Sequence, residues 1–281
     1  MNSYTMTSEQ IAAYGEILRL EERCESTIQK YVSAVRTLFN FLPQEKIISQ
    51  EILLKWKADI SLRFSASAAN VMISAVNRFC VFMSWTDIHI KQIKTQRQIY
   101  RDKDRELTKE EYTRLLNAAL AKGNLRLYYL MQTLAATGIR VSELQFITVE
   151  SLRKGSTVVN CKGKQRVIML PKKLKEKLLS YCNKAGIQSG PVFVTRNGNP
   201  MNRSNIWKEL QGLCAAAHVD ARKVFPHNFR HLFAVSFYRI EKDIAKLADL
   251  LGHASINTTR IYIMESGAEH ERQMEKLGLV A

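Results

Sequence analysis

Apolar residues recur along the first ninety positions at three- and four-residue spacing, the mark of helices that bury one face. Ile28, Tyr31, Val35, Leu38 and Leu42 form one such stripe, with Ser26 as the expected N-cap and Pro43 as the stop. A short helix begins at Ser49 or Gln50 and carries Ile52, Leu53 and Trp56. Met72, Val76, Phe79 and Met83 give a further stripe that starts near Ser65 or Ser67. The stripes predict the core of a helical block over roughly residues 7–90, and nothing in this block looks catalytic.

Periodicity is lost over 91–106 (KQIKTQRQIYRDKDRE), a polar and charged stretch. A linker is placed there at 96–106, between a helical domain at 1–95 and a second domain at 107–281. Thr108 and Glu111 form a capping-box pattern that opens the second domain. A helix through Leu115, Leu116 and Ala119 follows, then another from Asn124 to Thr137 that Gly138 ends. Ser156–Cys161 and Arg166–Leu170 are short, rich in Val and Ile, and separated by Lys162–Gln165, which predicts a β-hairpin. After Pro171 the chain returns to helices, apart from a strand at Val192–Thr195 and a turn at Asn197–Gly198. The fold class expected is mainly α with a small β-hairpin, an α+β chain.

Composition narrows the function. The 281 residues are 46% hydrophobic and 24% charged, the balance of a globular protein. The start, MNSYTMTSEQ, has neither the basic residues nor the apolar run of a signal peptide. The most apolar stretch, Val71 to Trp85, is interrupted by Asn77 and Arg78 and is too short to span a bilayer. A soluble cytoplasmic protein with no membrane partner is expected. Cys24, Cys80, Cys161, Cys182 and Cys214 are scattered and never paired as C-x-x-C, which argues against a disulfide framework or a zinc site. Charge says more. The net charge is +16, and residues 151–200 hold eleven basic side chains against a single acid, Glu176. Such a block repels itself unless a polyanion is near, so nucleic acid is the expected partner.

Four stretches of the second domain carry candidate chemistry: ATGIRVSEL around Arg140, the hairpin segment CKG with Lys162, PHNFRH with His227 and Arg230, and LLGH ending at His253, with Tyr262 nine residues on. Breaking a phosphodiester without metal or nucleotide requires fixed cations on the phosphate oxygens, and arginine forks meet that need. It also requires a nucleophile, which a tyrosine hydroxyl can be, an acid for the departing 5′-oxygen, which a lysine can be, and histidines that pass protons near neutral pH. Arg140, Arg230, Lys162, His227, His253 and Tyr262 fill these roles, with no cofactor and no metal. Each alone has a plainer reading, such as a helix-packing tyrosine or a capping histidine; their order and spacing carry the argument. His227 and His231 at i, i+4 with His253 also raise a metal hydrolase, but Asn228 stands where its catalytic Glu would be.

With these motifs in view, residues 106–275 resemble the catalytic domain of the tyrosine recombinases, the phage integrases and Xer proteins. ATGIRVSEL is similar to the family's first arginine motif, which makes Arg140 one phosphate clamp, with Glu143 as its usual neighbour. PHNFRH resembles the H-x-L-R-H box with Phe229 in place of Leu; the resemblance makes His227 the acceptor of the tyrosine proton, Arg230 the second clamp and His231 a packing residue. LLGHASINTTRIY resembles the LGH…TT-x-x-Y box and supplies His253 and the nucleophile Tyr262, which would form a 3′-phosphotyrosine. Lys162 is the hairpin lysine, with Lys164 as the alternative, and Arg166 is read as a contact to the DNA backbone.

The first block resembles the family's DNA-clamping core-binding domain, and no arm-binding domain fits before residue 7. The resemblance implies double-stranded DNA with inverted-repeat core sites as partner. It implies a homo-tetramer on two sites, coupled by exchange of a C-terminal helix around Glu269–Leu277, accessory proteins that set direction, and association with the nucleoid. The rival readings are a type IB topoisomerase-like DNA-relaxing enzyme and a DNA-binding protein without catalysis.

Overall fold

Polar side chains placed to satisfy the free N–H groups of a first turn start most helices of the first unit, residues 1–97. The computed structural model describes residues 2–94, 103–161, 164–263 and 275–278. Helix α1 (Ser8–Leu20) opens on a capping box between Thr7 and Gln10. Helix α2 (Glu25–Phe41) starts after Cys24, so the expected cap Ser26 lies inside its first turn, and it ends at Leu42 before Pro43. Ser49 caps α3 (Gln50–Arg63) and Ser65 caps α4 (Ala66–Phe82). A small antiparallel sheet, unread in the sequence, pairs β1 (Ser3–Thr5) with β2 (Ile47–Ser49). Three residues are too few to display a two-residue period.

The predicted stripes converge. Ile28, Val35, Leu38, Trp56, Ile73, Val76 and Phe79 are buried in one core, with Tyr31, Met72 and Met83 packed at its margin. Asn70 and Asn77, one heptad apart on α4, each clamp extended backbone with two hydrogen bonds, to residue 93 (3.0 and 2.7 Å) and residue 90 (2.8 and 3.1 Å). The polar interruption of the apolar stretch is therefore structural: amide side chains pair the N–H and C=O of a strap that has no ladder of its own.

The second unit, residues 98–281, gathers α5 (Lys109–Ala121) and α6 (Leu125–Thr137), capped by Thr108 and Asn124. A 3₁₀ turn (Val141–Phe146) and α7 (Val149–Lys154) lead into the hairpin of β3 (Ser156–Cys161) and β4 (Lys164–Met169). Cys161 pairs with Lys164, so β4 starts two residues earlier than the sequence suggested. Lys162 and Gly163 lie outside the described residues. Val159 and Ile168 turn into the core, while the paired Val158 and Val167 are exposed, the alternation that a half-buried sheet imposes.

Beyond Pro171 come α8 (Lys172–Lys184), α9 (Arg203–Gln211), α10 (Cys214–Ala217), α11 (Pro226–Glu241), α12 (Ile244–Leu251) and α13 (Ile256–Ile263). The strand expected at Val192–Thr195 does not form. The segment makes only isolated bridges, Thr148 with Pro191 and Val194 with Pro200, because no neighbour runs beside it long enough to build a ladder. Leu130, Leu134, Ile147, Leu152, Val159, Leu178, Phe193 and Phe229 fill the main core of this unit. A separate small cluster of Ala234, Leu247, Leu251 and Tyr262 joins α11, α12 and α13. Most of the linker expected at 96–106, and most of the C-terminal helix expected at 269–277, lie outside the described residues.

Candidate active site

The site is built where three helix ends meet. Helix α6 stops at Gly138, whose φ of +62° is the left-handed geometry that suits glycine. A Cβ there would stand 2.4 Å from the Phe233 ring. Two residues later, Arg140 leads the 3₁₀ turn, and its backbone N–H donates to Glu143 Oε2 at 2.7 Å. Its Nη1 donates to Glu143 Oε1 at 3.2 Å. Glu143 is buried, and burial pushes its carboxyl toward the neutral form. The bond from Arg166, the bond from the Arg140 backbone and both positive charges outweigh that and hold the carboxyl below its ordinary range.

Proline at the first position of α11 pre-sets the helix geometry, so His227 and Arg230 sit in and just past the first turn. Arg230 is buried. It donates to the Gly138 carbonyl and to the Leu251 carbonyl at 2.7 Å. Burial, with Arg140 beside it, lowers its pKa to about 10, so it stays charged at neutral pH.

The C-terminal end of α12 organises the cluster. Three consecutive carbonyls each accept from a different arginine: Leu250 from Arg166 Nη1 at 2.6 Å, Leu251 from Arg230 Nη2, and Gly252 from Arg140 Nη2 at 3.4 Å. A helix C-terminus carries unpaired carbonyls and partial negative charge, so it gathers cations. Glu143 pairs with Arg140 and Arg166, while Arg230 is held by backbone carbonyls, so among the described residues the three arginines keep a positive excess suited to an anion.

His253 follows Gly252. Its Nε2 is 2.9 Å from Arg230 Nη2 and its Nδ1 is 2.8 Å from Thr259 Oγ1. Tyr262, one turn beyond Thr259 on α13, is buried. Its hydroxyl is 3.4 Å from His227 Nε2, and its presence near Arg230 supports the charged form of that guanidinium. Three imidazoles surround the phenol, with ring centroids at 5.5 Å (His227), 5.6 Å (His231) and 5.7 Å (His253, stacked). His231 is buried, with Nε2 3.8 Å from Glu106.

The structure thus brings together Arg140, His227, Arg230, His253 and Tyr262, while Lys162 lies outside the described residues and Lys164 is placed only as a strand residue of β4. Arg166 differs from its sequence reading. Instead of reaching outward to a phosphate, it turns inward to Glu143 and Leu250, because the strand register puts it on the same face as Ile168. Thr259 was not singled out in the sequence. Its signal is the three-residue spacing before Tyr262, which places both on one helix face.

The phage integrase family model matches residues 105–269, more than half of the chain. This chain belongs to the phage integrase family. It is 28% identical over 268 residues to the tyrosine recombinase XerD of Halalkalibacterium halodurans, covering 92% of this chain and 77% of that relative. It is 26% identical over 288 residues to XerA of Pyrococcus furiosus, covering 100% and 98%. The crystal structure of XerA recombinase matches with TM-score 0.52 and 25% identity over 98% of this chain and all of that one. A lambda integrase dimer bound to a COC′ core site matches the fold with TM-score 0.75 at 17% identity, covering 93% and 96%. A lambda integrase tetramer bound to a Holliday junction does so with TM-score 0.74 at 19%, covering 93% and 78%.

Proposed function

We propose that Tyr262 attacks a scissile DNA phosphate held between Arg140 and Arg230. The chain is a tyrosine-type site-specific recombinase, an enzyme that breaks and rejoins DNA strands through a 3′-phosphotyrosine. The observation that carries the residue roles is that the Tyr262 hydroxyl meets His227 Nε2 while its ring stacks on His253, the imidazole that contacts Arg230, with Arg140 tied to the same helix end.

In this reading the phenol oxygen forms a bond to phosphorus and the bond from phosphorus to O5′ breaks. The tyrosine proton passes to His227; the 3.4 Å separation is one that tightens on substrate binding. The arginines meet the charge that grows on the non-bridging oxygens. His253 braces Arg230 as a neutral acceptor. The hairpin lysine, Lys162 with Lys164 as the alternative, protonates the departing O5′. The phosphotyrosine retains the energy of the diester, so a 5′-hydroxyl from a partner strand reverses the step without ATP.

The finer picture of this reading is double-stranded DNA with inverted-repeat core sites, clamped by a core-binding unit at 1–95 across a linker from the catalytic domain. Four copies would act on two sites, exchanging C-terminal helices and working at the nucleoid, with accessory proteins setting direction. Among the described residues no helix is long and apolar enough to cross a membrane.

The test uses nicked duplexes made from DNA flanking the coding sequence. A covalent protein–DNA adduct should appear on a denaturing gel and vanish in Tyr262→Phe. An adduct that persists in that variant means another residue is the nucleophile.

A further inference from the structure

Arg166 has no task in the reaction just described, yet it ties the hairpin to the rest of the site. Its side chain is only 13% exposed. Strand register places it opposite Val159, on the inward face. From there Nη2 donates to Glu143 Oε2 and Nη1 to the Leu250 carbonyl at 2.6 Å. A planar guanidinium reaches two acceptors from two separate nitrogens of a rigid fork, whereas a lysine has one nitrogen on which both acceptors would have to converge.

Both acceptors matter to the clamp. Glu143 is the carboxylate that holds the Arg140 backbone and Nη1, and Leu250 begins the run of carbonyls that bind Arg230 and Arg140. The packing is close. A Cβ at Gly252, where φ is +64°, would stand 2.4 Å from Arg166 Cδ, so the backbone passes the arginine stem at a distance only glycine permits. Core burial does not demand an arginine here, because Val159 and Ile168 already seat the hairpin's apolar face.

We infer that Arg166 is a positioning residue that registers the β3–β4 hairpin against the two phosphate-binding arginines, so that the hairpin's lysine delivers its proton to the leaving 5′-oxygen. The inference rests on the reading of that lysine as the acid. In the cleavage step the Tyr262 oxygen bonds to phosphorus, the P–O5′ bond breaks, and O5′ leaves with the lysine's proton. Arg166 keeps its own protons throughout. A misplacement of the acid by about 1 Å costs on the order of 10² in rate.

Replacing O5′ by sulfur separates this role from the alternatives, because a thiolate leaves without a proton, its conjugate acid having a pKa of about 8.5. Duplexes that the wild-type protein captures covalently would be resynthesised with a 5′-bridging phosphorothiolate at the mapped cleavage position. Single-turnover cleavage is then measured for Arg166→Gln, Arg166→Lys, Lys162→Ala, Lys164→Ala and Arg140→Ala. The expected result is a loss of about 10²-fold in both Arg166 variants on ordinary DNA. On the phosphorothiolate they should recover to within a few fold of wild type, as one of the two lysine variants does, while Arg140→Ala stays slow on both.

If a lysine variant recovers and the Arg166 variants stay slow on both substrates, Arg166 serves the clamp and the inference is overturned. It is also overturned if Arg166→Lys cleaves ordinary DNA at the wild-type rate, since charge alone would then suffice. If neither lysine variant recovers, the acid is misassigned; recovery of the Arg166 variants alone would still tie them to leaving-group protonation. Arg166→Lys keeps charge and bulk, so it covers the case in which Arg166→Gln does not fold.

Discussion

His253 Nε2 lies 2.9 Å from Arg230 Nη2, and because a guanidinium can only donate, the imidazole nitrogen must be the acceptor. The ring is therefore neutral, its proton sits on Nδ1, and it donates to Thr259 Oγ1 at 2.8 Å. Burial, then the positive charges of Arg230, Arg140 and Arg166, lower the His253 pKa to about 4. One histidine thus buttresses an arginine and carries no charge at neutral pH.

That relationship sets a pH dependence. The unfolded histidine takes up its proton near pH 6.5, the folded one only near 4. Between these values the unfolded state binds more protons, so stability rises with pH. The contribution is whole above about pH 6.5 and is lost as pH falls toward about 4. Thermal melting of the protein should show a decline through this window. His253→Gln, which keeps an acceptor for Arg230 but cannot titrate, should flatten it. An unchanged slope in that variant would mean His253 is not the group responsible.

Thr259→Val removes the oxygen that receives the Nδ1–H while keeping the side chain's shape. Thr259 is fully buried, so the imidazole loses its partner where water cannot replace it. A loss of about 1–3 kcal/mol in urea unfolding is expected, with slower cleavage because the ring no longer fixes Arg230. Thr258→Val, at an exposed neighbour, is the control and should change little.

Arg140 and Arg230, proposed above as the phosphate clamp, should separate in their effect on the fold. Each truncation to Ala should slow cleavage by about 10²–10³-fold. Arg140 is part-exposed, at 39%, so its loss should leave the melting temperature nearly unchanged. Arg230 is buried and pairs two carbonyls, so Arg230→Ala should also lower the melting temperature by several degrees. Equal melting curves for the two variants would show that the carbonyls of Gly138 and Leu251 find other partners.

Gly138→Ala and Gly252→Ala both place a Cβ on left-handed backbone against a side chain at 2.4 Å, the Phe233 ring in one case and the Arg166 stem in the other. Each should destabilise by about 1–3 kcal/mol. Gly123→Ala shares the positive φ without a neighbour within 4 Å and should cost less. Denaturant titration of the three variants checks the order.

Local sequence alone determined the helices, because a cap such as Thr108 or Asn124 and a stripe such as Ile28 to Leu42 act within a few residues. The side chains proposed to react were picked out in the same way, as residue types in an ordered set of short motifs. Tertiary structure decided what held them. Arg166 read as a contact to the DNA backbone, whereas strand register turns it toward Glu143, and Thr259, not singled out in the sequence, is aimed at His253 by helix phase. The three carbonyls that anchor the arginines belong to Leu250, Leu251 and Gly252, whose side chains give no sign of that use. Backbone acceptors are common to every sequence, so only the packing of one helix end against another chooses which of them will bind a cation.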